Sequence, residues 1–141
     1  MGKSKIAHRC ILNRKSKKMA GLTPQSPRPT ELKLHQKSRQ LEVAFDDGKQ
    51  FTFSCEFLRV HSPSAEVRGH GPGQEVLQVG KKNIDIAAIE PVGSYAVKLV
   101  FSDGHDTGIY SWDYFHDLGV KHDDYWKTYL ARMANAAASR E

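Results

Sequence analysis

The sequence has little cysteine and no long apolar run. Two of its 141 residues are cysteines, Cys10 and Cys55, and they lie far apart in dissimilar surroundings. Small secreted domains usually depend on a dense disulfide framework, so this spacing argues against that class and predicts two free thiols. No apolar run approaches the roughly 20 residues that span a bilayer, and the N-terminus lacks the apolar block of a secretory signal. We therefore expect a soluble, cytoplasmic protein that does not bind membranes.

The motifs that mark common catalytic and nucleotide-binding sites are also missing. There is no Gly-x-Ser-x-Gly elbow to present a nucleophilic serine. The glycines of residues 69–73 lack the Lys-Ser/Thr pair of a phosphate-binding loop, and no strand-to-helix setting supports a dinucleotide fingerprint. A Ser-His-Asp combination such as Ser62, His105 and Asp103 can be chosen from any chain with seven histidines, so it does not indicate a catalytic triad. The sequence therefore predicts no catalytic residue and no cofactor, and we expect a protein that is not an enzyme.

The apolar content is sufficient for one small domain. Hydrophobic residues make up 39% of the chain, enough for a single core without disulfides or a metal. Residues 1–29 show no hydrophobic periodicity and end in three prolines, which predicts a disordered, basic extension. The folded domain is expected over residues 30–119. A C-terminal helix is expected within residues 120–141.

Charge is distributed unevenly along the chain, although the net charge is only +5. Residues 1–40 carry 11 of the 21 lysines and arginines and one acid, Glu31, whereas residues 41–141 carry 15 of the 16 acids. A basic arm of this kind is typical of segments that bind nucleic acid. Met19 offers a competing explanation, because a chain starting there would lose seven basic residues. Nucleic-acid binding by the arm and a dispensable extension over residues 1–18 are both open.

Alternating apolar residues predict strands that form hairpins. Val97, Leu99 and Phe101 face one side of a strand over residues 95–101. A turn at Ser102 to His105 would lead into a returning strand over residues 106–110. The same alternation appears in four further segments, 30–35, 41–45, 50–54 and 84–89.

Serine residues at the start of apolar turns predict short helices. Ser54 precedes a helical turn over residues 55–60, and Ser111 precedes a helix over residues 112–118 that Gly119 would end in the left-handed conformation. Another turn is expected at residues 64–67. A longer C-terminal helix would begin near residue 123 and bury four side chains, Trp126, Tyr129, Leu130 and Met133. The fold class expected is therefore α+β: a small antiparallel sheet of hairpins packed with short helices, plus a C-terminal helix.

Three stretches of the chain resemble a known family: LEVAFDDG, LRVHSPSAEVRGHGPGQ and IEPVGSYAVKLVFSDGHDTGIYSWDYF. In this order they are similar to the gamma-butyrobetaine hydroxylase-like N-terminal domain, a family of small, mostly bacterial proteins of unknown function, over about residues 30–118. The resemblance implies a small α+β domain. The same module is similar to the N-terminal domain of carnitine-pathway hydroxylases and to an appended domain of some P-loop ATPases that carry iron–sulfur clusters.

In those hydroxylases the module holds a structural zinc through three closely spaced cysteines and a distant histidine. The resemblance aligns the cysteines with Ser62, Ser64 and Val67, and the histidine with His105. A neutral serine hydroxyl is a poor zinc ligand, so we expect the zinc site to be lost. The iron-dependent hydroxylase chemistry belongs to a separate domain, for which this chain is too short, and it is not implied.

Three histidines are an alternative set of metal ligands. If the loop over residues 62–73 folds over the turn at residues 102–106, as the family zinc geometry implies, then His61, His70 and His105 approach one another. Three imidazoles can bind Zn²⁺, Ni²⁺ or Fe²⁺. The competing interpretation is one hydrogen-bonded turn histidine and two exposed loop histidines. We predict no metal site. The alternative is a site whose candidate ligands are His105 with His61 or His70.

Polar and aromatic side chains near the same loop are candidates for binding a partner. The polar candidates near Ser62 can equally form a capped helical turn. The two tyrosines, Tyr110 and Tyr114, can equally cover the sheet, although we expect them to reach the surface. Trp112 and Phe115 are expected in the core. The candidates are Arg59, Ser62, Ser64, Glu66, Tyr110 and Tyr114.

The function that these observations predict is a non-catalytic accessory or protein-interaction module. The resemblance to the cluster-carrying ATPases implies iron–sulfur cluster assembly as a context, with a carrier ATPase as the partner. The alternatives are nucleic-acid binding through the basic arm and metal binding at His105.

Overall fold

Two antiparallel sheets form the framework of the structure. A computed structural model describes residues 9–10, 27–69 and 75–141. The first sheet has its strands in the order β1 (Arg9–Cys10), β2 (Pro29–His35), β3 (Gln40–Phe45) and β4 (Gln50–Ser54). The second has the order β5 (Ile86–Val92), β6 (Ala96–Phe101) and β7 (Ile109–Ser111). The predicted α+β class is confirmed, with the strands divided between two sheets.

The described residues form four helices beside the sheets: α1 (Cys55–Val60), α2 (Ala65–Arg68), α3 (Trp112–Val120) and α4 (His122–Asn135). The Ser54 hydroxyl accepts a hydrogen bond from the Phe57 N–H at 3.0 Å, and Ser111 accepts from Tyr114 at 3.2 Å. Both predicted helix caps are therefore confirmed. No helix in the described part of the chain combines the length and apolar character needed to cross a membrane.

One hydrophobic core joins both sheets to helices α1 and α3. Leu41 and Val43 of β3 and Leu99 of β6 are fully buried, as the alternating pattern predicted. Trp112 and Phe115 pack into the same cluster, which confirms their predicted place in the core. The core thus fixes the second sheet, whose β6–β7 connection contains His105, against α1.

The start of the chain differs in part from the prediction of disorder. Arg9 and Cys10 form β1, which pairs antiparallel with Lys33 and Leu32 of β2. Backbone pairing with a neighbouring strand does not require the side-chain periodicity used for the prediction, so the pattern missed it. Pro29, the last residue of the predicted extension, also belongs to a strand, β2. The remaining residues up to 26 lie outside the described part of the chain.

The returning strand of the second sheet is shorter than predicted. It begins at Ile109, not at residue 106. The Thr107 hydroxyl hydrogen-bonds the Ser64 hydroxyl at 2.6 Å, and Gly108 packs against the side chain of Ser62. These contacts turn the stretch toward α2 and away from the strand ladder.

Helix α4 buries one narrow face against a second, smaller cluster. Tyr129 and Met133 are buried, and Trp126 is half-buried, as predicted. The prediction that Leu130 is buried is wrong, because this residue is 39% exposed. One position along a helix rotates the side chain by about 100°, which carries Leu130 off the face that Tyr129 occupies.

Helix α3 continues past the residue that was expected to end it. Gly119 lies inside the helix, which extends to Val120, so the predicted left-handed C-terminus is wrong. A methyl group added at this position would lie 2.4 Å from the ring of Phe51. The glycine is needed for this close approach of α3 to β4 and does not end the helix.

We predict that Gly119→Ala lowers the free energy of unfolding by about 1–3 kcal/mol, the usual cost of overpacking a core. Urea unfolding followed by circular dichroism measures the change. In a Phe51→Leu background the smaller side chain should remove most of this cost. An alanine that stabilises the protein in the presence of Phe51 would refute the account of this contact.

Candidate functional site

His105 is a buried residue at the centre of a polar cluster that joins two distant segments. The residue is 7% exposed and follows β6, whereas its partners follow α1. Its Nε2 lies 2.8 Å from Ser62 Oγ, and its Nδ1 lies 3.0 Å from Glu66 Oε1. We call Ser62, Ser64, Glu66 and His105 the His105 cluster. The predicted approach of the loop to the 102–106 turn is thus present.

The hydrogen bonds define how the His105 ring is protonated. Burial lowers the pKa of His105 and the nearby Arg59 lowers it further, whereas Glu66 raises it, with a net shift below the ordinary value. The ring is therefore neutral at pH 7 and carries one proton. A carboxylate only accepts hydrogen bonds, so Nδ1–H donates to Glu66 and Nε2 accepts from the Ser62 hydroxyl. Both ring nitrogens are used.

The order Ser62, His105, Glu66 resembles the hydrogen-bond order of a serine hydrolase triad. The Ser62 residue is only 1% exposed, however, and its Oγ also accepts from the Ser64 N–H at 3.2 Å. On another side, a Cβ at Gly108 would lie 2.3 Å from this oxygen, so backbone lies directly against it. The hydroxyl is therefore almost fully buried, although Ser62 is one of the residues that line the groove described below.

Ser62 contacts His105 and is bonded by Ser64, but the chemistry of the four positions aligned with the family zinc ligands does not fit zinc. Ser64 caps α2 by accepting from the Glu66 N–H at 3.1 Å, and Val67 is buried. The set of side chains is two neutral hydroxyls, one aliphatic group and the His105 ring, in place of three thiolates and an imidazole. Across the described ranges, no three His, Cys, Asp or Glu side chains are arranged to hold a metal ion.

His61 does not join the His105 cluster. Its Nδ1 lies 2.9 Å from the carbonyl oxygen of Phe57, and its ring packs on Phe57 with 4.4 Å between centroids. Burial lowers the pKa of His61. The proposed site of three imidazoles is therefore not formed by His61 and His105, and His70 lies outside the described residues.

Several predicted partner-binding residues are inside the fold. The prediction that Tyr110 reaches the surface is wrong: it is fully buried in β7, its hydroxyl donates to the Leu58 carbonyl, and its ring stacks on Phe115. Three more of the predicted set are buried: Arg59, Ser62 and Ser64. The two serine hydroxyls bond within the protein, and Arg59 bonds through Nε, whereas its buried Nη1 has no hydrogen-bond partner among the described residues. Only Glu66 and Tyr114 keep exposed surface.

Arg59 is held by an ion pair at the base of the His105 turn. Its Nε lies 3.0 Å from Asp103 Oδ2, which also accepts from Lys81 Nζ at 2.7 Å. Burial raises the pKa of Asp103, but hydrogen bonds from Lys81, the His105 N–H and Arg59 outweigh it and lower the pKa to about 2. The Arg59 Nε and the Asp103 carboxylate therefore fix the turn, while Arg59 Nη1 is buried without a hydrogen-bond partner among the described residues.

A groove of about 170 Å³ lies beside the His105 cluster, between α2 and α4. We call it the α2–α4 groove. The hydroxyl of Tyr114 donates to the His61 carbonyl and that of Tyr129 donates to the Gln78 carbonyl, so both are used within the protein. Val76, on the groove edge, is 52% exposed. The lining therefore presents apolar surface to solvent.

Two arginines of the α2–α4 groove were missed by the sequence analysis. Arg68 closes α2, with its guanidinium carbon 5.0 Å from the centre of the Tyr114 ring, and Arg132 lies on α4. Their proximity depends on the tertiary packing of two helices far apart in sequence. The apolar Val76 and Leu77, directly after the glycine-rich residues 69–73, were the one local signal.

Comparisons with known proteins identify relatives of this fold. Residues 32–116 match the sequence model of a family described as gamma-butyrobetaine hydroxylase-like, N-terminal. An NMR solution structure is 63% identical over 86% of this chain and 92% of its own, with a TM-score of 0.71. A second is 45% identical over 82% and 91%, with a TM-score of 0.72. The matched range includes the whole His105 cluster.

A more distant relative comes from Acidithiobacillus ferrooxidans. Its crystal structure is that of a protein of unknown function in the DUF971 family, 37% identical over 65% of this chain and 92% of its own, with a TM-score of 0.55. A search of curated proteins finds no match. The similarity therefore defines a family and a fold.

Proposed function

The chain belongs to the gamma-butyrobetaine hydroxylase-like N-terminal domain family, and we propose that it acts as a non-catalytic module that binds another protein. The observation that carries the proposal is the α2–α4 groove, which exposes apolar surface next to two arginines that form no ion pair with a carboxylate of the described residues. Apolar surface with arginine and tyrosine is the composition typical of protein-binding hot spots.

The hydrogen bonds of His105 and the burial of Ser62 support the non-catalytic part of the proposal. A general base must lie within hydrogen-bond reach of the proton that it abstracts, and a nucleophile that it activates must be able to reach the substrate. His105 uses both ring nitrogens on Ser62 and Glu66, and the Ser62 hydroxyl is buried against Gly108. These hydrogen bonds join the loop after α1 to the turn after β6. In the hydroxylase domains that this chain resembles, a metal holds the corresponding positions.

We further propose iron–sulfur cluster assembly as the context, with a carrier ATPase or one of its clients as the partner in the cytoplasm. This part rests on the resemblance to the appended domain of cluster-carrying ATPases. Cys55 is buried, and burial raises the pKa of its thiol to about 12. The common clusters need four ligands, so this chain would assist a carrier and not hold the cluster itself.

Affinity capture from cytoplasmic extract tests the proposal. The full chain should enrich a cluster-carrying ATPase or its clients, and Val76→Glu should abolish that enrichment by placing a carboxylate on the groove edge. Val120→Glu is the matched control, because Val120 is 57% exposed and lies outside the groove. Capture without any such carrier or client, or equal capture by both variants, would contradict the proposal.

Nucleic-acid binding through the basic arm stays a prediction, since residues 1–8 and 11–26 lie outside the described part of the chain. Phosphate contacts release counterions, so RNA or DNA affinity should fall steeply with salt and disappear in a chain that begins at Met19. Filter binding at several salt concentrations measures this, and salt-insensitive or absent binding by the full chain would exclude it.

A further inference from the structure

The chemistry of the α2–α4 groove narrows the class of partner. We infer that it binds an acidic peptide segment of a partner protein, with one apolar side chain inserted as an anchor and carboxylates on the two arginines. This inference rests on the proposed function, since it names the partner of the same site.

The volume and the apolar lining of the α2–α4 groove determine which kind of partner side chain can insert into it. At about 170 Å³ it is smaller than the roughly 300–1,000 Å³ typical of small-molecule sites, and it suits a single side chain. Val60, Val67 and Leu77 line it. The Tyr114 and Tyr129 hydroxyls already donate to backbone carbonyls. An aliphatic or aromatic group therefore gains contact here, whereas a polar group leaves hydrogen bonds unmade.

The charges of the groove determine what flanks the anchor. Among the described residues, no carboxylate lies within ion-pair distance of Arg68 or Arg132, although Glu75 is also part of the lining. Three other arginines of the described chain each contact a carboxylate: Arg39, Arg59 and Arg140. The two groove arginines thus have unused donors.

Arginine is suited to bind carboxylates of a peptide. The guanidinium presents five N–H donors in a planar fork that matches a carboxylate. Arg68 is oriented by its position over the Tyr114 ring, so little freedom is lost when it binds. A nucleic acid could place phosphates on the same charges, but the polar edges of a base would lose hydrogen bonds to water on the aliphatic floor, whereas an apolar side chain would not, which favours a peptide.

A random 12-residue peptide library displayed on phage and selected against the full chain tests the inference. The enriched peptides should combine an aliphatic or aromatic residue with two or more Asp or Glu residues. Calorimetry with a synthetic enriched peptide should then show affinity at least tenfold weaker for Arg68→Glu and for Arg132→Glu. Lys127→Glu, an exposed position on α4 outside the groove, should change the affinity less than twofold.

Several results would overturn the inference. These are enriched peptides without acidic residues, a selection that yields no groove-binding peptide, or affinity unchanged in both arginine variants. Displacement of the peptide by a 12-nucleotide single-stranded RNA with tighter binding would assign the groove to nucleic acid. Dimerisation lost in Arg68→Glu would assign it to a second copy. Partner capture that depends on Val76 but not on the arginines would refute this inference alone and leave the proposed function intact.

Discussion

Replacing Arg140 by alanine is expected to lower the free energy of unfolding by about 3–5 kcal/mol, the usual cost of leaving a buried charge unpaired. Glu56 in α1 is 5% exposed, and its two carboxylate oxygens accept from Arg140 Nε at 2.8 Å and Nη2 at 2.7 Å. The guanidinium also lies 5.3 Å from the centre of the Trp126 ring. Urea unfolding followed by circular dichroism measures the loss.

The control for this substitution is the exposed ion pair of the same C-terminal segment. Lys82 and Glu141 pair at 3.0 Å with side chains 44% and 70% exposed. Lys82→Ala should therefore change stability by less than about 0.5 kcal/mol. Neutralising the buried acid should restore part of the loss, so Glu56→Gln combined with Arg140→Ala should be more stable than Arg140→Ala alone. A loss below about 1 kcal/mol for Arg140→Ala would contradict the pairing.

Asp103→Asn is expected to cost about 3 kcal/mol, because it leaves the buried Arg59 without its carboxylate. The side chain of Arg59 is 9% exposed and that of Asp103 is 26% exposed. Asp85→Asn is the matched control, since Asp85 pairs with Arg39 where both side chains are more than 40% exposed. That exposed pair should contribute less than about 1 kcal/mol.

The contribution of Asp103 should also depend on pH. Its folded pKa of about 2 lies below the ordinary value of 3.8, so its stabilisation is complete above about pH 4 and is lost as the pH falls toward 2. Over that window, stability should fall less steeply in Asp103→Asn than in the native protein. Parallel pH profiles for the two proteins would refute the assignment.

Local patterns were enough to predict most of the fold. Period-2 alternation located β3, β4 and β6, and the serine caps located α1 and α3, because these signals depend on near neighbours in sequence. The same reasoning failed at Gly119, where the decisive contact is the Phe51 ring of a distant strand. A glycine required by packing and a glycine required by backbone conformation look identical in a sequence.

The candidate site was predictable in position but not in detail. The family resemblance placed Ser62 near His105, and the structure confirms the contact. The acidic partner of the ring is Glu66, which was predicted only as a candidate for partner binding, and Tyr110 is buried where surface exposure was expected. Which face of a strand or loop meets the core depends on how two segments pack, and the sequence contains no local signal for that choice.

The His105 cluster explains how the module keeps its shape without thiol ligands. In the hydroxylase domains that this chain resembles, a metal joins the loop and the turn that correspond to those after α1 and β6. Here the Ser62 and Glu66 hydrogen bonds to His105 make the same connection, and Ser64 bonds Thr107 beside them. The link between loop and turn is therefore retained by neutral hydrogen bonds and by the carboxylate of Glu66.

Elemental analysis of the full chain, purified without chelators from zinc-supplemented cells, tests this account most directly. We expect no stoichiometric zinc, nickel or iron in the native protein. The combined variant Ser62→Cys, Ser64→Cys and Val67→Cys should bind one zinc per chain, since it supplies three thiolates beside His105. One metal per native chain, lost on His105→Ala, would contradict the account.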